Sequence, residues 1–224
     1  GRKRKYKMFP LTFGEMVNHT NLLEELRMIP HRMVYGYYPE VVELVGEERA
    51  VLKELSESYL YRDILSFDKI MKSEKLVKLL QALAYQIGSQ VSYNEIGQTV
   101  GLDSKTVERY IDILEKSYII FRLKSYARNL RNELKASRKI YFWDLGIRNA
   151  VIGNYSQVES RTDVGTQQQK EIDYLEDADG EIKAFEIKWN ERKANTKCPV
   201  IFTKTYPNTD YKVITPKNIE SILL

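Results

Sequence analysis

Cysteine and histidine are nearly absent from this chain: Cys198 is the single cysteine, and His19 and His31 are the two histidines. One cysteine excludes a disulfide framework and a cysteine-based zinc site, and it suits a reducing cytoplasm. The histidines have no obvious co-ligands nearby and read as structural residues. No Gly-x-x-x-x-Gly-Lys-[Ser/Thr] loop occurs, so an ATP site of that type is not expected. No Gly-x-Ser-x-Gly elbow and no histidine suitably placed for a triad are present either. No apolar run approaches a membrane span, no signal peptide is visible, and internal repeats are missing. A cytoplasmic protein without a membrane partner is expected.

What is present describes a soluble globular protein, 43% hydrophobic and 29% charged. Its 224 residues allow one large domain or two small ones, with ample core. The net charge of +4 is mild but unevenly spread. Arg2, Lys3, Arg4, Lys5 and Lys7 crowd the beginning, which suits a solvated terminus or a contact with phosphates. The apolar Met8-Phe9-Pro10-Leu11 follows at once and reads as the middle of a domain. Val17 to Met28 predicts a short helix broken at Pro30. A turn over residues 35–40 then leads into further helical sequence through Tyr61.

Residues 70–123 carry the clearest fold signal. Ile70, Leu76, Val77, Leu79, Leu80, Leu83 and Ile87 make a broad apolar stripe, with Gly88 placed to cap it. Ser92-Tyr93-Asn94-Glu95 is a capping box opening a second helix. Asp103 or Ser104 caps a third, in which Val107, Tyr110, Ile111 and Leu114 fall at helical spacing. Two short helices joined by a glycine-containing turn predict a helix-turn-helix. The strand-like Tyr118–Phe121 follows, and residues 139–143 are suited to pair with it. Three helices and a β-ribbon make a winged helix.

Winged helices often lay the third helix in the major groove. Its exposed positions here are Lys105, Glu108, Arg109 and Asp112, whose charges cancel and give no net pull on phosphate. The segment between the two strands differs. It holds Arg122, Lys124, Arg128, Arg131, Lys135, Arg138 and Lys139 against one acid, Glu133. A basic wing with Tyr126 suits contact with a nucleic-acid backbone. Packing against other parts of the same chain, with these residues solvated or paired, is the alternative.

Beyond Asp144 the sequence reads as polar and irregular through Asn154 to Gln169. Two alternating runs follow, joined at Asp179-Gly180, a strong hairpin signal. Residues two apart in a strand share a face. Phe185, Ile187 and Trp189 are thus expected on one side and Glu186 and Lys188 on the other. In the partner strand Ile172 and Tyr174 oppose Glu171 and Asp173. Register permitting, Asp173, Glu186 and Lys188 meet on the polar face, where two carboxylates suit Mg²⁺ and the lysine orients an attacking water. An exposed hairpin with cross-strand ion pairs shows the same pattern. Cys198 to Tyr206 reads as a short helix or irregular strand, and Tyr211 to Thr215 as a strand.

Several ordered strings together resemble a known family. They are Gly1-Arg2, Phe9-Pro10-Leu11-Thr12-Phe13-Gly14-Glu15, Tyr35-Gly36-Tyr37-Tyr38-Pro39-Glu40-Val41 and Tyr59-Leu60-Tyr61-Arg62-Asp63-Ile64. Tyr126-Ala127-Arg128-Asn129, the run Lys139 to Gly146, and Glu171-Ile172-Asp173 with Phe185 to Trp189 complete the set. The chain resembles the C-terminal part of prokaryotic AAA+-type ATPases, whose core is followed by a domain of unknown function similar to PD-(D/E)xK nucleases.

The resemblance implies an α+β protein in three parts. Residues 1–54 correspond to the end of the ATPase core and a helical connection. Residues 55–125 correspond to a winged-helix region, and residues 126–224 to a small PD-(D/E)xK-like α/β domain. It puts Asp173, Glu186 and Lys188 on the D…ExK positions, with Asp173 and Glu186 as ligands for Mg²⁺. ATP would bind only through an upstream core.

Members of that family usually carry an acidic helix shortly after the match to residues 161–165. Here Gly165 runs directly into Thr166, so these two are expected not to be neighbours in the full polypeptide.

Three functions compete. The first is a non-catalytic module of an AAA+-type ATP-binding protein, contacting DNA, RNA, a protein partner or the upstream core through Lys105, Arg109, Arg128, Arg131 and Arg138. The second is a Mg²⁺-dependent nuclease, and the third a regulatory DNA-binding protein acting through the winged helix alone.

Overall fold

Capping side chains and left-handed turn residues set the element boundaries in the computed structural model, which describes residues 7–59, 73–123, 138–157, 172–178, 181–190, 197–207 and 209–224. The architecture is α+β, with two separate three-stranded sheets among the described residues. The chain divides into two compact units, Gly1–Thr12 with Pro30–Arg161, and Phe13–Ile29 with Thr162–Leu224.

Helices α1 (Phe13–His19) and α2 (Leu22–Tyr35) come first. Asn21 opens α2 by accepting the Glu24 N–H at 2.9 Å. Contrary to the sequence reading, α2 runs through Pro30 to Tyr35. Proline removes one hydrogen bond but leaves the rest of the ladder. The carbonyls past it have outside partners, because Asn149 donates its amide to Met33 at 3.1 Å and Val34 at 2.8 Å.

Helices α3 (Pro39–Glu43) and α4 (Glu48–Glu54) follow, the latter passing into a π-helical turn, Leu55–Tyr59. Next come α5 (Ser73–Tyr85), strand β1 (Gln90–Val91), α6 (Tyr93–Val100) and α7 (Ser104–Lys116). Strands β2 (Ile120–Leu123) and β3 (Arg138–Phe142) make the expected antiparallel ribbon, Ile120 opposite Phe142 and Leu123 opposite Lys139. The order is β1-β3-β2. Ser92 caps α6 as read, accepting the Glu95 N–H at 3.4 Å, and Asp103 caps α7 through the Thr106 N–H at 2.9 Å. One hydrophobic core runs from Val41 through Leu76, Leu80, Ile111, Leu114 and Ile140 to Val151.

The stretch after Asp144 is not irregular at first. Residues Leu145–Ile152 form α8, closed by Gly153 in the left-handed region. Asp144 caps it and is buried: one oxygen accepts the Ile147 N–H at 2.9 Å, the other the Tyr37 N–H at 2.7 Å. Burial pushes the Asp144 carboxyl up, against the N–H groups of Tyr37, Ile147 and Gly146 that hold it down. Gly36 has φ +75°, and a Cβ there would lie 2.2 Å from that carboxylate. The segment before α3 is thereby clamped to α8.

In the other unit, strand β4 (Tyr174–Ala178) pairs antiparallel with β5 (Glu181–Ile187), which pairs parallel with β6 (Thr209–Ile214). The crossover contains helix α9 (Val200–Thr205), and α10 (Glu220–Leu223) ends the chain. Ala178 opposes Glu181, so the expected antiparallel pairing is formed, while Asp179 and Gly180 lie outside the described residues. Gly165 and Thr166 lie outside the described residues, as do Arg128 and Arg131.

Candidate functional site

Helix α7 buries Val107, Tyr110, Ile111 and Leu114 and leaves Lys105, Glu108 and Arg109 exposed. Asp112 and Glu115 lie on the same helix but are already engaged. The Arg122 Nη2 contacts Asp112 at 2.7 Å and also pairs with Glu115, while its Nε donates to Glu115 at 2.9 Å. The Arg122 backbone N–H reaches Glu115 at 3.1 Å, and Nη1 reaches the Tyr93 hydroxyl at 3.5 Å.

Burial alone would lower the Arg122 pKa; the hydrogen bonds to Glu115 and Tyr93 more than reverse it, so the net shift is upward. Arg122 therefore does not belong to an open basic wing. It ties β2 to α7 and offsets part of the charge of Glu115 and of Asp112, the latter counted against anion binding in the sequence.

Lys105 and Arg138, far apart in sequence, line one groove of about 370 Å³ with Val91, Ser92, Tyr93, Asn94, Ser104 and Glu108. The groove lies between the start of α6, the start of α7 and the first residue of β3. Arg109 sits one turn further along α7, its guanidinium 5.5 Å from the Tyr110 ring centre.

The second candidate lies on the hairpin. Tyr174 opposes Phe185, and their rings stack at 5.9 Å, on the shared face expected. Continuing that register brings Asp173 beside Glu186. Asp173 Oδ2 accepts the Ile187 N–H at 2.8 Å, and the Lys188 ammonium lies 2.6 Å from Glu186 Oε1. Glu186, first, and then Asp173 hold the Lys188 ammonium above the ordinary lysine range, against partial burial.

Sequence reasoning missed Tyr211 of β6, which sits beside Ala184 on the Glu186 face. Its phenol is pushed up by burial and then by Glu186, Cys198 and Asp173. The two faces are less cleanly divided than alternation implies. Ile182 and Ala184 are buried on the Glu186 side, and Ile187 on the other is 53% exposed. Among the described residues no three His, Cys, Asp or Glu side chains gather as a metal cluster. Two carboxylates still fit Mg²⁺, which is held by one or two and keeps several waters.

Fold and sites together define a two-unit α+β protein with a basic groove in one unit and an acidic hairpin in the other. Residues 17–158 match the family described as a domain of unknown function, DUF8612, and the chain belongs to it. An uncharacterized protein of Haemophilus influenzae is 26% identical over 249 residues, covering 94% of this chain and 62% of its own length. That match is longer than the 224-residue chain, so its alignment opens gaps here. Two uncharacterized proteins of Methanocaldococcus jannaschii are 28% and 21% identical over 46% and 57% of this chain, and 20% and 33% of their own. The chain thus spans about three-fifths or less of these relatives. No solved structure matches it. No helix among the described residues is long and apolar enough to cross a membrane.

Proposed function

We propose that this chain is the C-terminal module of a cytoplasmic AAA+-type ATP-binding protein and that its three-helix, three-stranded unit is a winged helix contacting nucleic acid. The observation that carries the reading is the Arg122 fork. Arg122 offsets one of the two charges of Asp112 and Glu115, and the exposed residues of α7 include Lys105, Arg109 and Lys116 beside Glu108, which leaves the face with a small positive balance. Lys105 and Arg138 share a groove at the helix start, where phosphate is favoured. The ordered motifs support an upstream core, where ATP would bind, and the greater length of the relatives leaves room for a further domain.

Fluorescence anisotropy against a DNA duplex at several salt concentrations tests the contact. Binding should weaken steeply with salt. Replacing Lys105 and Arg138 with Ala should reduce the slope of log affinity against log salt by about 2, roughly one per phosphate contact. An unchanged slope would return the groove to a structural feature.

A second reading has its own support, the contact of Lys188 with Glu186 beside Asp173. In it the hairpin is a nuclease site in which Asp173 and Glu186 hold Mg²⁺. The ion would polarise the scissile phosphate and the attacking water. Glu186 keeps Lys188 protonated and positioned, so the lysine can orient that water or steady the leaving oxygen. Plasmid incubated with Mg²⁺ or Mn²⁺ should then be cut, and Asp173→Ala should abolish cutting; no cleavage in either metal removes this reading.

A further inference from the structure

We propose that the groove holding Lys105 and Arg138 takes one unpaired nucleotide of a nucleic-acid strand, and that Glu108 selects a base carrying an exocyclic amino group. This rests on the nucleic-acid reading above and adds a base to its phosphate contact. Three ionic groups line the groove: the Lys105 ammonium, the Arg138 guanidinium and the Glu108 carboxylate. Lys105 and Glu108 are both exposed and stand one turn apart on α7, where opposite charges can pair. They do not. Among the described residues none of the three is in an ion pair, whereas the neighbouring acids Asp112 and Glu115 are both taken by Arg122.

Two cations and one acid ask for a particular ligand. A run of phosphates alone would avoid the carboxylate, and so would an acidic peptide. An anion joined to a hydrogen-bond donor satisfies all three groups. A nucleotide is such a ligand: its phosphate meets the two cations, and an amino group on its base donates to Glu108. The remaining walls suit a base. Tyr93 contributes a ring, anchored by the contact of its hydroxyl with Arg122 Nη1 at 3.5 Å, against which a base can stack. Asn94, exposed at the start of α6, adds an amide that both donates and accepts. The volume of about 370 Å³ falls at the small end of ligand sites, the scale of one nucleotide and not of a duplex.

The base must be unpaired, because a duplex hides its base faces from the Tyr93 ring and commits its amino groups to pairing. Cytosine, adenine and guanine each offer an amino N–H to a carboxylate. Uracil and thymine present carbonyl oxygens in its place, and a carboxylate repels them. Glu108 thus weakens the groove for phosphate in general and makes it selective for amino over keto bases. Specificity gained through a repulsive group is a common device.

The test uses the full chain and two labelled strands, oligodeoxycytidylate and oligodeoxyuridylate, whose bases differ in the amino or keto group. Fluorescence anisotropy should show cytidylate bound about five-fold more tightly or better, the discrimination expected of one good side-chain contact to a base. Glu108→Gln should bring the two affinities together, chiefly by strengthening uridylate binding, because an amide can donate to the keto oxygen. Lys105→Ala should weaken both strands and keep their ratio. Equal affinities in the unaltered chain, or a cytidylate preference that survives Glu108→Gln, overturns the proposal. Salt-dependent duplex binding through Lys105 and Arg138 without a cytidylate preference defeats only this inference. Absence of both duplex and single-strand binding defeats the reading beneath it as well.

Discussion

Asp144 shows how much one side chain can organise. Both its oxygens accept backbone N–H groups, one within its own helix and one 107 residues earlier in sequence. Gly36 is what makes room for it. A methyl group at Gly36 would meet the carboxylate oxygens at 2.2 and 2.3 Å, whereas one at Gly46, also left-handed at φ +95°, meets nothing within 4 Å. Gly46→Ala should therefore cost only backbone strain, about 1 kcal/mol. Gly36→Ala should cost that plus a buried clash, about 3 kcal/mol or more. Urea unfolding midpoints of the two variants measure the difference directly, and equal losses would mean that the clamp relaxes freely.

Elements carry the next predictions. Burial raises the Glu115 carboxyl, but bonds from Arg122 and the nearby Arg138 charge outweigh it, and the net shift is downward. The unfolded chain therefore binds this proton more readily than the folded one. The stabilisation is fully present above the ordinary glutamate range and is lost as pH falls through the folded value. Thermal midpoints should drop on acidification, and Glu115→Gln should flatten part of that drop; an identical pH profile would show the pairing to be energetically silent.

How legible each element was follows from whether its signal is local. The Ser92 and Asp103 caps and the stripe of α7 depend on residues within a few turns, and they were readable. Helix α8 had its signs too, in Asp144, the Ile147–Val151 spacing and Gly153, but Arg148, Asn149 and Asn154 obscured them. Helix α2 passes Pro30, and its last carbonyls are bonded by Asn149, over a hundred residues away. The Asp173, Glu186 and Lys188 grouping was legible because hairpin register follows from a two-residue turn. Tyr211 was not, since nothing local fixes the register of a parallel partner. The Arg122 fork was hidden because its partners, seven and ten residues back, sit on a different element, where no single periodicity links them.

At the scale of the whole molecule, the missing phosphate loop gives a plain expectation. A fluorescent ATP analogue titrated into this chain should give no saturable signal, and saturable binding would reveal a nucleotide site of another type. The Asp144 and Asn149 clamp has a consequence in time as well as in space. Asn149 holds carbonyls that lie up to 116 residues before it. A ribosome adding roughly 5–20 residues per second needs on the order of ten seconds to cover that interval. For those seconds residues 33–37 are already outside the ribosome while the side chains that secure them are not yet made. The upstream segment must wait, open to chaperones and proteases, for a late-arriving helix to finish it.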